Sequence, residues 1–552
     1  MRILLRKAII ALTVSALILS KRLDIWLVPK NRFFYFWESE DAWARILLIL
    51  VVACGFVVFD RLIWYSMGPK HRRIARALLM AGIMFVLGDQ YLTPVLLTLL
   101  HFPPGWGWLF FWTPLTVMYL GVGLLAYKVR EIPGWVARIF LMISPIIVFV
   151  SCEFLVAEKW GGPHETFGDL GAYAKITAAN KGPIILIVFD EWSAQRSFLK
   201  DDMIRSAVGE WNSEGIGYLR MNASVFIPEF AHLNALCGNA TVFTQERSAG
   251  STTASLPAIL FERLGKLKIN SRGVFWQMNG VDCATKDILS VFDRAKSEGW
   301  KTALLGFYYP YHHMLGKEID LCHSYPYTYK PPTLIGRIRL SVIRWILEFK
   351  YPLIADLCAQ MRRIEDDAFY RNWYNLAHGM TDELISWMRV AKNGQFYYIH
   401  LPIPHPPPVF TPDGDFRRPK AGGSWQGSPD EYKMSLSHQD KVIGEVVKAL
   451  KDAGVYDSCT LVMTGDHTWR QDPVRDEANY SEWVKHVPLI IKSPNQKRGV
   501  VVTSEFDFLK MMRIINGALR GQKSEDVILR QVGMPSYSIN EPEVDEKDQD
   551  RD

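Results

Sequence analysis

The stretch HQDKVIGEVVKALKDAGVYDSCTLVMTGDH, residues 438–467, decides the fold class of this chain. Its first half has the apolar spacing of an amphipathic helix, and a turn at Gly454 leads into the apolar run SCTLVMTG, which is typical of a buried strand. The strand is followed by Asp466 and His467, two residue types that bind metal ions. Such residues at the carboxyl end of a strand indicate a functional site at one edge of a sheet.

Segments with the patterns of strands and helices alternate through residues 183–525. The run PIILIVFDE at 183–191 is typical of a buried strand, and KTALLGFYY at 301–309 follows an amphipathic segment as another. This alternation predicts an α/β/α domain with a mainly parallel sheet that helices cover on both faces. Residues 325–390 predict a helical insertion in this domain, and the acidic residues 538–552 predict a disordered tail.

The first part of the chain, residues 1–157, is dominated by apolar runs. A helix needs about 20 apolar residues to cross the core of a bilayer. Five segments are candidate transmembrane spans: 5–28, 46–66, 77–100, 106–127 and 136–157. The first of them is the weakest, and a cleaved signal peptide is the alternative for it. Against a signal peptide, Lys21 and Arg22 follow its apolar run where small residues would mark a cleavage site.

The charges of the loops predict an orientation in the membrane. The loops at 68–76 and 127–138 are basic, whereas 101–107 contains no Lys or Arg, and the positive-inside rule puts the basic loops in the cytoplasm. The sequence therefore predicts an N-terminal all-α transmembrane bundle of five helices in the bacterial inner membrane. A juxtamembrane linker at 158–182 would lead to a catalytic domain on the outer side of this membrane, periplasmic or extracellular.

The net charge of +6 is modest, and much of the positive charge lies in these short loops. It is explained by membrane topology, so the lipid bilayer is an expected partner and nucleic acid is not.

Two further stretches carry residues suited to chemistry. Thr252 lies in AGSTTASLPAIL at 249–260, and His400 and His405 lie in FYYIHLPIPHPPPVF at 396–410. Each of these residues has a structural explanation when taken alone, because Thr is a good N-cap residue and a His is often a satisfied core residue. Taken together with the acids at 190–191 and the pair at 466–467, they predict a site for a Zn²⁺- or Mn²⁺-type ion.

Residues from about 182 to 520 resemble the alkaline phosphatase/sulfatase superfamily, in its membrane-anchored branch of phosphoethanolamine transferases and lipoteichoic acid synthases. The stretch 438–467 carries most of this resemblance. It implies an alkaline-phosphatase-like domain in which the acid after the first strand, Asp190 or Glu191, binds a metal ion together with Asp466 and His467. Zn²⁺ is the expected ion, with Mn²⁺ and Ca²⁺ as alternatives.

The resemblance also implies a nucleophile. Thr252 lies five residues before Pro257, as the reactive Thr of the phosphoethanolamine transferases does, and it would be both nucleophile and metal ligand. His400 and His405 keep the spacing of the transferase motif H-x-x-x-x-H-x-P, which implies substrate contacts for both and a catalytic role for His405. By their positions beside predicted strands, His313 and His486 are further candidates for substrate binding.

Two departures from the related families are visible. Sulfatases that use an oxidised formylglycine nucleophile need Cys or Ser in C/S-x-P-x-R, and neither frame around Pro257 supplies that pattern. Ala258 follows Pro257, where some phosphoethanolamine transferases have Cys. The sequence therefore keeps the ligands of the superfamily without the sulfatase nucleophile.

The expected function is a membrane-bound, metal-dependent transferase. It would move phosphoethanolamine or phosphoglycerol from a phospholipid donor to an envelope glycan or lipid acceptor, through a phosphothreonine intermediate. The alternatives are a hydrolase of phosphate or sulfate esters with the same fold, and a non-catalytic envelope scaffold.

Overall fold

A computed structural model describes residues 9–15, 39–87, 166–174, 181–211, 216–220, 223–270, 273–315, 319–325, 355–419, 427–473 and 476–531. The chain divides into two compact units. One comprises Met1–Pro163 and Lys330–Arg362, and the other comprises His164–Tyr329 and Arg363–Asp552.

The first unit contains helices α1 (Ser39–Ser66) and α2 (Pro69–Leu87). Within the ranges given above, no helix is long and apolar enough to cross a membrane. The uninterrupted apolar run of α1 covers only 46–59 before Asp60 and Arg61, and basic residues occupy the start of α2. These helices contradict the predicted five-helix transmembrane bundle. The predicted spans 106–127 and 136–157, most of 5–28 and residues 88–100 of the span 77–100 lie outside the described residues.

The second unit is built on a sheet of twelve strands. The strands are β1 (Thr166–Phe167), β2 (Ile184–Asp190), β3 (Val208–Trp211), β4 (Ile216–Leu219), β5 (Thr241–Arg247), β9 (Lys301–Phe307), β10 (Leu321–Tyr325), β11 (Gln395–Pro404), β12 (Thr460–Gly465), β13 (His486–Lys492), β14 (Val500–Val502) and β15 (Phe506–Asp507). Their order in the sheet is β1-β10-β9-β11-β2-β12-β13-β5-β14-β4-β3, and β15 also pairs with β5. A separate three-stranded sheet contains β6 (Lys266–Asn270), β7 (Gly273–Met278) and β8 (Val281–Ala284).

The large sheet is mixed, which corrects the prediction of a mainly parallel one. Strands β10, β9, β11, β2 and β12 run parallel to one another, whereas β1 is antiparallel to β10. Strand β13 is antiparallel to both β12 and β5. The segment between β12 and β13 contains only one short described helix, Tyr480–Trp483, so no long crossover helix carries the chain back to the other end of the sheet.

Helices flank this sheet in the second unit. They are α3 (Leu170–Ala174), α4 (Ala194–Ser197), α5 (Asp201–Ala207), α6 (Ala231–Cys237), α7 (Thr252–Phe261), α8 (Val291–Ser297), α9 (Tyr311–Leu315), α10 (Ala355–Arg389), α11 (Pro429–Asp452), α12 (Tyr480–Trp483), α13 (Phe508–Leu519) and α14 (Ser524–Gln531), with a 3-10 turn at Thr285–Asp287. Residues 355–362 of α10 are assigned to the first unit. Of the predicted insertion, 326–354 lies outside the described residues, as does the predicted acidic tail at 538–552.

The stretch that decided the fold class has the predicted elements. Helix α11 begins at Pro429, earlier than the quoted stretch, because Ser428 and Glu431 form a reciprocal capping box at its start. Its apolar face is buried, and strand β12 is buried at every position. The predicted helix and strand are therefore confirmed.

The register of the central strands brings the predicted site together. Strand β2 pairs in parallel with both β11 and β12, with Val188 opposite His400 and Phe189 opposite Gly465. The carboxyl ends of the three strands therefore lie side by side at one edge of the sheet. Residues 190–191, 400–405 and 466–467 all follow or occupy those ends.

Candidate active site

Three buried side chains at this edge form a group that could hold a metal ion. Asp190, His400 and Asp466 each offer one ligand atom, and these atoms lie within 4.8 Å of one another. Asp190 Oδ1, Asp466 Oδ2 and His400 Nε2 are buried without a hydrogen-bond partner in the described structure. Because unpaired buried polar atoms are costly, and because two carboxylates and an imidazole suit Zn²⁺, the residues present fit a divalent cation.

The tautomer of His400 follows from its neighbours. Its Nδ1 lies 3.2 Å from the carbonyl oxygen of Phe307 and 3.1 Å from the Tyr311 hydroxyl. A carbonyl can only accept, so Nδ1 carries the proton and Nε2 keeps its lone pair toward the two acids. Burial lowers the pKa of His400 to about 4, so the imidazole is neutral at pH 7 and able to bind a metal ion.

His467 connects this group to the predicted nucleophile. Its Nδ1 donates to the carbonyl oxygen of Thr468 at 2.8 Å, which leaves Nε2 as an acceptor. Nε2 lies 3.2 Å from Thr252 Oγ1, 3.5 Å from Asp466 Oδ2 and 3.7 Å from Asp190 Oδ1. The Thr252 hydroxyl therefore donates to an imidazole that is adjacent to both acids.

Thr252 is the first residue of α7, and the turn before it contains Gly250 in a left-handed conformation (φ +82°). The hydroxyl therefore lies at the positive end of the helix dipole, a favourable location for an anionic group. Ser255, one turn into α7, donates from its hydroxyl to the carbonyl oxygen of Asp466 at 2.6 Å. This bond fixes the start of the helix against the residue that follows β12.

The two acids of the group differ in protonation. Burial raises the pKa of Asp190 well above its usual value, and the nearby charges of Asp466 and Glu191 raise it further. Burial also opposes ionisation of Asp466, but His467, His400 and the N–H of Glu191 lower its pKa overall. Asp466 Oδ1 accepts from the N–H of Glu191 at 2.9 Å and from that of His467 at 2.8 Å. The carboxyl groups of Asp190 and Asp466 can therefore share one proton, or bind a cation in its place.

The resemblance predicts Glu191, together with Asp190, as a ligand of the ion. The carboxylate of Glu191 instead accepts from Arg470 Nε at 2.9 Å, and it is not a member of the three-residue group. Glu191 also has a left-handed backbone (φ 62°), which is uncommon for a residue with a side chain. The hydroxyl of Tyr432 donates to its carbonyl oxygen. Arg470 was missed from the sequence; its position three residues after His467 was the available signal.

The remaining sequence candidates lie in different places. His405 is buried, its Nδ1 donates to the carbonyl oxygen of Pro406, and its charge interactions include Glu191 and His467. His486 begins β13 opposite Arg247, with Glu482 and Glu505 as charged neighbours, and it is not a member of the three-residue group. His313 belongs to α9, but its side chain lies outside the described residues.

The chain belongs to the Sulfatase family, because the model of that family matches residues 184–512, more than half of the sequence. Membership indicates an enzyme, and it agrees with the resemblance to the alkaline phosphatase/sulfatase superfamily. No curated protein matches the sequence significantly.

Several solved structures are similar to this chain. A phosphonate monoester hydrolase of Agrobacterium radiobacter has 16% identity and a TM-score of 0.37, over 66% of this chain and 78% of that one. A phosphonate monoester hydrolase from Silicibacter pomeroyi has 15% identity and a TM-score of 0.36, over 65% and 78%. A protein in the alkaline phosphatase superfamily from Vibrio parahaemolyticus has 12% identity and a TM-score of 0.37, over 68% and 73%.

Proposed function

We propose that this chain is a metal-dependent enzyme that cleaves phosphoesters, with Thr252 as the nucleophile. The observation that carries the proposal is the hydrogen bond between Thr252 Oγ1 and His467 Nε2, 3.2 Å long, beside three buried ligand atoms without partners. One edge of the sheet then contains a nucleophile, an acceptor for its proton and a site for a cation.

The residues suggest how such a reaction would run. Asp190, Asp466 and His400 would hold the ion, which would supply Lewis-acid chemistry and stabilise the ionised form of a nearby hydroxyl. His467 Nε2 orients the Thr252 hydroxyl and can take its proton. Thr252 Oγ1 forms a bond to phosphorus as the bond from phosphorus to the ester oxygen breaks. The leaving oxygen takes up a proton from water, because His405 has a lowered pKa and its Nδ1 proton is bonded to the carbonyl oxygen of Pro406. An acceptor hydroxyl or water later displaces Thr252.

Phosphoryl rather than sulfuryl transfer is favoured by the nucleophile itself. Threonine cannot be converted to the formylglycine that C/S-x-P-x-R sulfatases use, and the sequence around Pro257 lacks the Arg of that pattern. A secondary alcohol instead forms a phosphothreonine directly. The hydroxyl also lies at a helix N-terminus, which favours an anionic group there.

The finer proposal concerns donor and acceptor. We infer a transferase that takes phosphoethanolamine or phosphoglycerol from a phospholipid and passes it to an envelope glycan or lipid, as in the membrane-anchored branch that the sequence resembles. A hydrolase that passes the same group to water is the second candidate, and the family membership is compatible with it. A non-catalytic scaffold is the third, and the unpartnered ligand atoms argue against it.

Mass spectrometry of the acid-quenched protein tests the proposal. The protein is incubated with Zn²⁺ and with phosphatidylethanolamine or phosphatidylglycerol in separate reactions. We expect the mass of the head-group phosphate on the peptide that contains Thr252, and none in Thr252→Ala. An adduct on another residue would contradict the assignment of the nucleophile. Label from the donor that appears in a larger envelope molecule supports transfer, and label released only as the free head group supports hydrolysis.

A further inference from the structure

Arg470 is a half-buried cation at the candidate active site. Its Nε donates to Glu191 Oε1 at 2.9 Å, and 42% of its side chain is exposed, against 5% for Glu191. The backbone of Glu191 is fixed as well, because its N–H donates to Asp466 Oδ1 and its carbonyl oxygen accepts from the Tyr432 hydroxyl. The guanidinium is therefore held at the surface of the site by a residue that is itself tied to the candidate metal group.

The charges of the site explain why a cation is needed there. Three carboxylates meet at this edge, those of Asp190, Glu191 and Asp466. When all are ionised, a divalent cation offsets two of their negative charges and the guanidinium offsets the third. Without Arg470, an anionic substrate would approach a site of net negative charge.

We propose that Arg470 is a substrate-binding residue whose guanidinium binds the non-bridging oxygens of an anionic phosphoryl group, and that Glu191 is its positioning residue. This inference rests on the proposed function, because it assigns the recognition of the phosphoryl group that Thr252 would accept. The planar guanidinium offers donors in a fixed fork that matches two phosphoryl oxygens, and the bond from Nε to Glu191 fixes the plane of the fork. The exposed part of the side chain lets a ligand reach it.

The test measures the binding of inorganic phosphate to the Zn²⁺-loaded full-length protein by isothermal titration calorimetry. We expect Arg470→Gln to weaken phosphate binding by about 10- to 100-fold, the loss that fits removal of a charge-assisted contact. Arg470→Lys should recover part of the affinity through its charge alone. The control is Arg513→Gln, which removes an exposed arginine from helix α13 and should leave phosphate affinity unchanged.

Two further measurements separate recognition from a structural role. Zinc content, measured by mass spectrometry of the metal, should be the same in wild type and Arg470→Gln. Glu191→Gln should weaken phosphate binding less than Arg470→Gln does. The double variant should bind no more weakly than Arg470→Gln, because a positioning residue acts through its partner.

Three results would overturn the proposal: phosphate affinity of Arg470→Gln within about twofold of wild type, loss of zinc from that variant, or no phosphate binding by wild type. Failure of the proposed function is distinguishable from these. In that case wild type binds phosphate with the predicted dependence on Arg470, and no covalent adduct forms on Thr252.

Discussion

The hydroxyl of Ser255 donates a hydrogen bond to the backbone carbonyl oxygen of Asp466, 2.6 Å away. The two residues are 211 positions apart in the chain. The same hydroxyl accepts from the N–H of Ala249, so one buried side chain joins the turn before α7, the first turn of that helix and the end of β12. This contact holds Thr252 at the distance from His467 on which the proposed chemistry depends.

Ser255→Ala should lower the free energy of unfolding by about 1–3 kcal/mol, because the Asp466 carbonyl and the Ala249 N–H would lose a buried partner. Urea titration of the full-length protein measures the change. Ser206→Ala is the control, since Ser206 is exposed and bonds only locally, and its effect should stay within about 0.5 kcal/mol. An equal effect of the two substitutions would show that the Ser255 contact is energetically unimportant.

Thr252→Ala should reduce kcat/KM for phosphodiester cleavage by at least about a thousandfold, because loss of a covalent nucleophile leaves only binding and electrostatic terms. Thr252→Ser keeps a hydroxyl and should retain a measurable part of the activity. Thr253→Ala removes the neighbouring hydroxyl, which contacts Ser251, and should have a small effect. A Thr252→Ala enzyme with activity within tenfold of wild type would rule out the covalent route.

Asp190→Asn should have opposite effects on the ion-free and the ion-loaded protein. Burial and the nearby acids oppose ionisation of Asp190, so the neutral amide should raise the thermal midpoint in the presence of a chelator at pH 8. The same change should remove most of the stabilisation by Zn²⁺, which is about 2.7 kcal/mol for a ligand at one hundred times its Kd. Asp452→Asn, an exposed surface change, is the control. Undiminished stabilisation of Asp190→Asn by Zn²⁺ would exclude this acid as a ligand.

The pH dependence of stability should contain a contribution from His400. The folded-state pKa is about 4, below the ordinary value of 6.5, so the unfolded chain binds more protons between these values. Stability is therefore fully present above about pH 6.5 and falls as the pH drops toward 4, by roughly 2–3 kcal/mol at pH 4.5. His400→Asn should remove this part of the decline. The measurement is urea unfolding with a chelator at pH 7.5 and 4.5, and parallel declines in the two proteins would contradict the assignment.

Much of the secondary structure of the second unit could be predicted from local patterns. The helix and strand at 438–467 follow from apolar periodicity, and the strand at 183–191 from a continuous apolar run. The direction of β13 could not be predicted in this way, because an apolar run specifies a buried strand and not its neighbour or its direction. The predicted transmembrane bundle was wrong for a related reason: hydropathy weighs composition over a window, and in α1 the charged residues Asp60 and Arg61 end the apolar run that begins at Ile46.

The sequence by itself determined the residue types of the site, namely acids and imidazoles after buried strands and a threonine before a helix. Only the tertiary structure decided their partners. It separated Asp190 from Glu191, joining one to His400 and Asp466 and the other to Arg470. Adjacent residues differ in this way because the left-handed backbone at Glu191 turns the chain sharply as it leaves β2. Backbone direction at such a point depends on contacts with Asp466 and Tyr432, more than 200 residues away, and no local pattern encodes them.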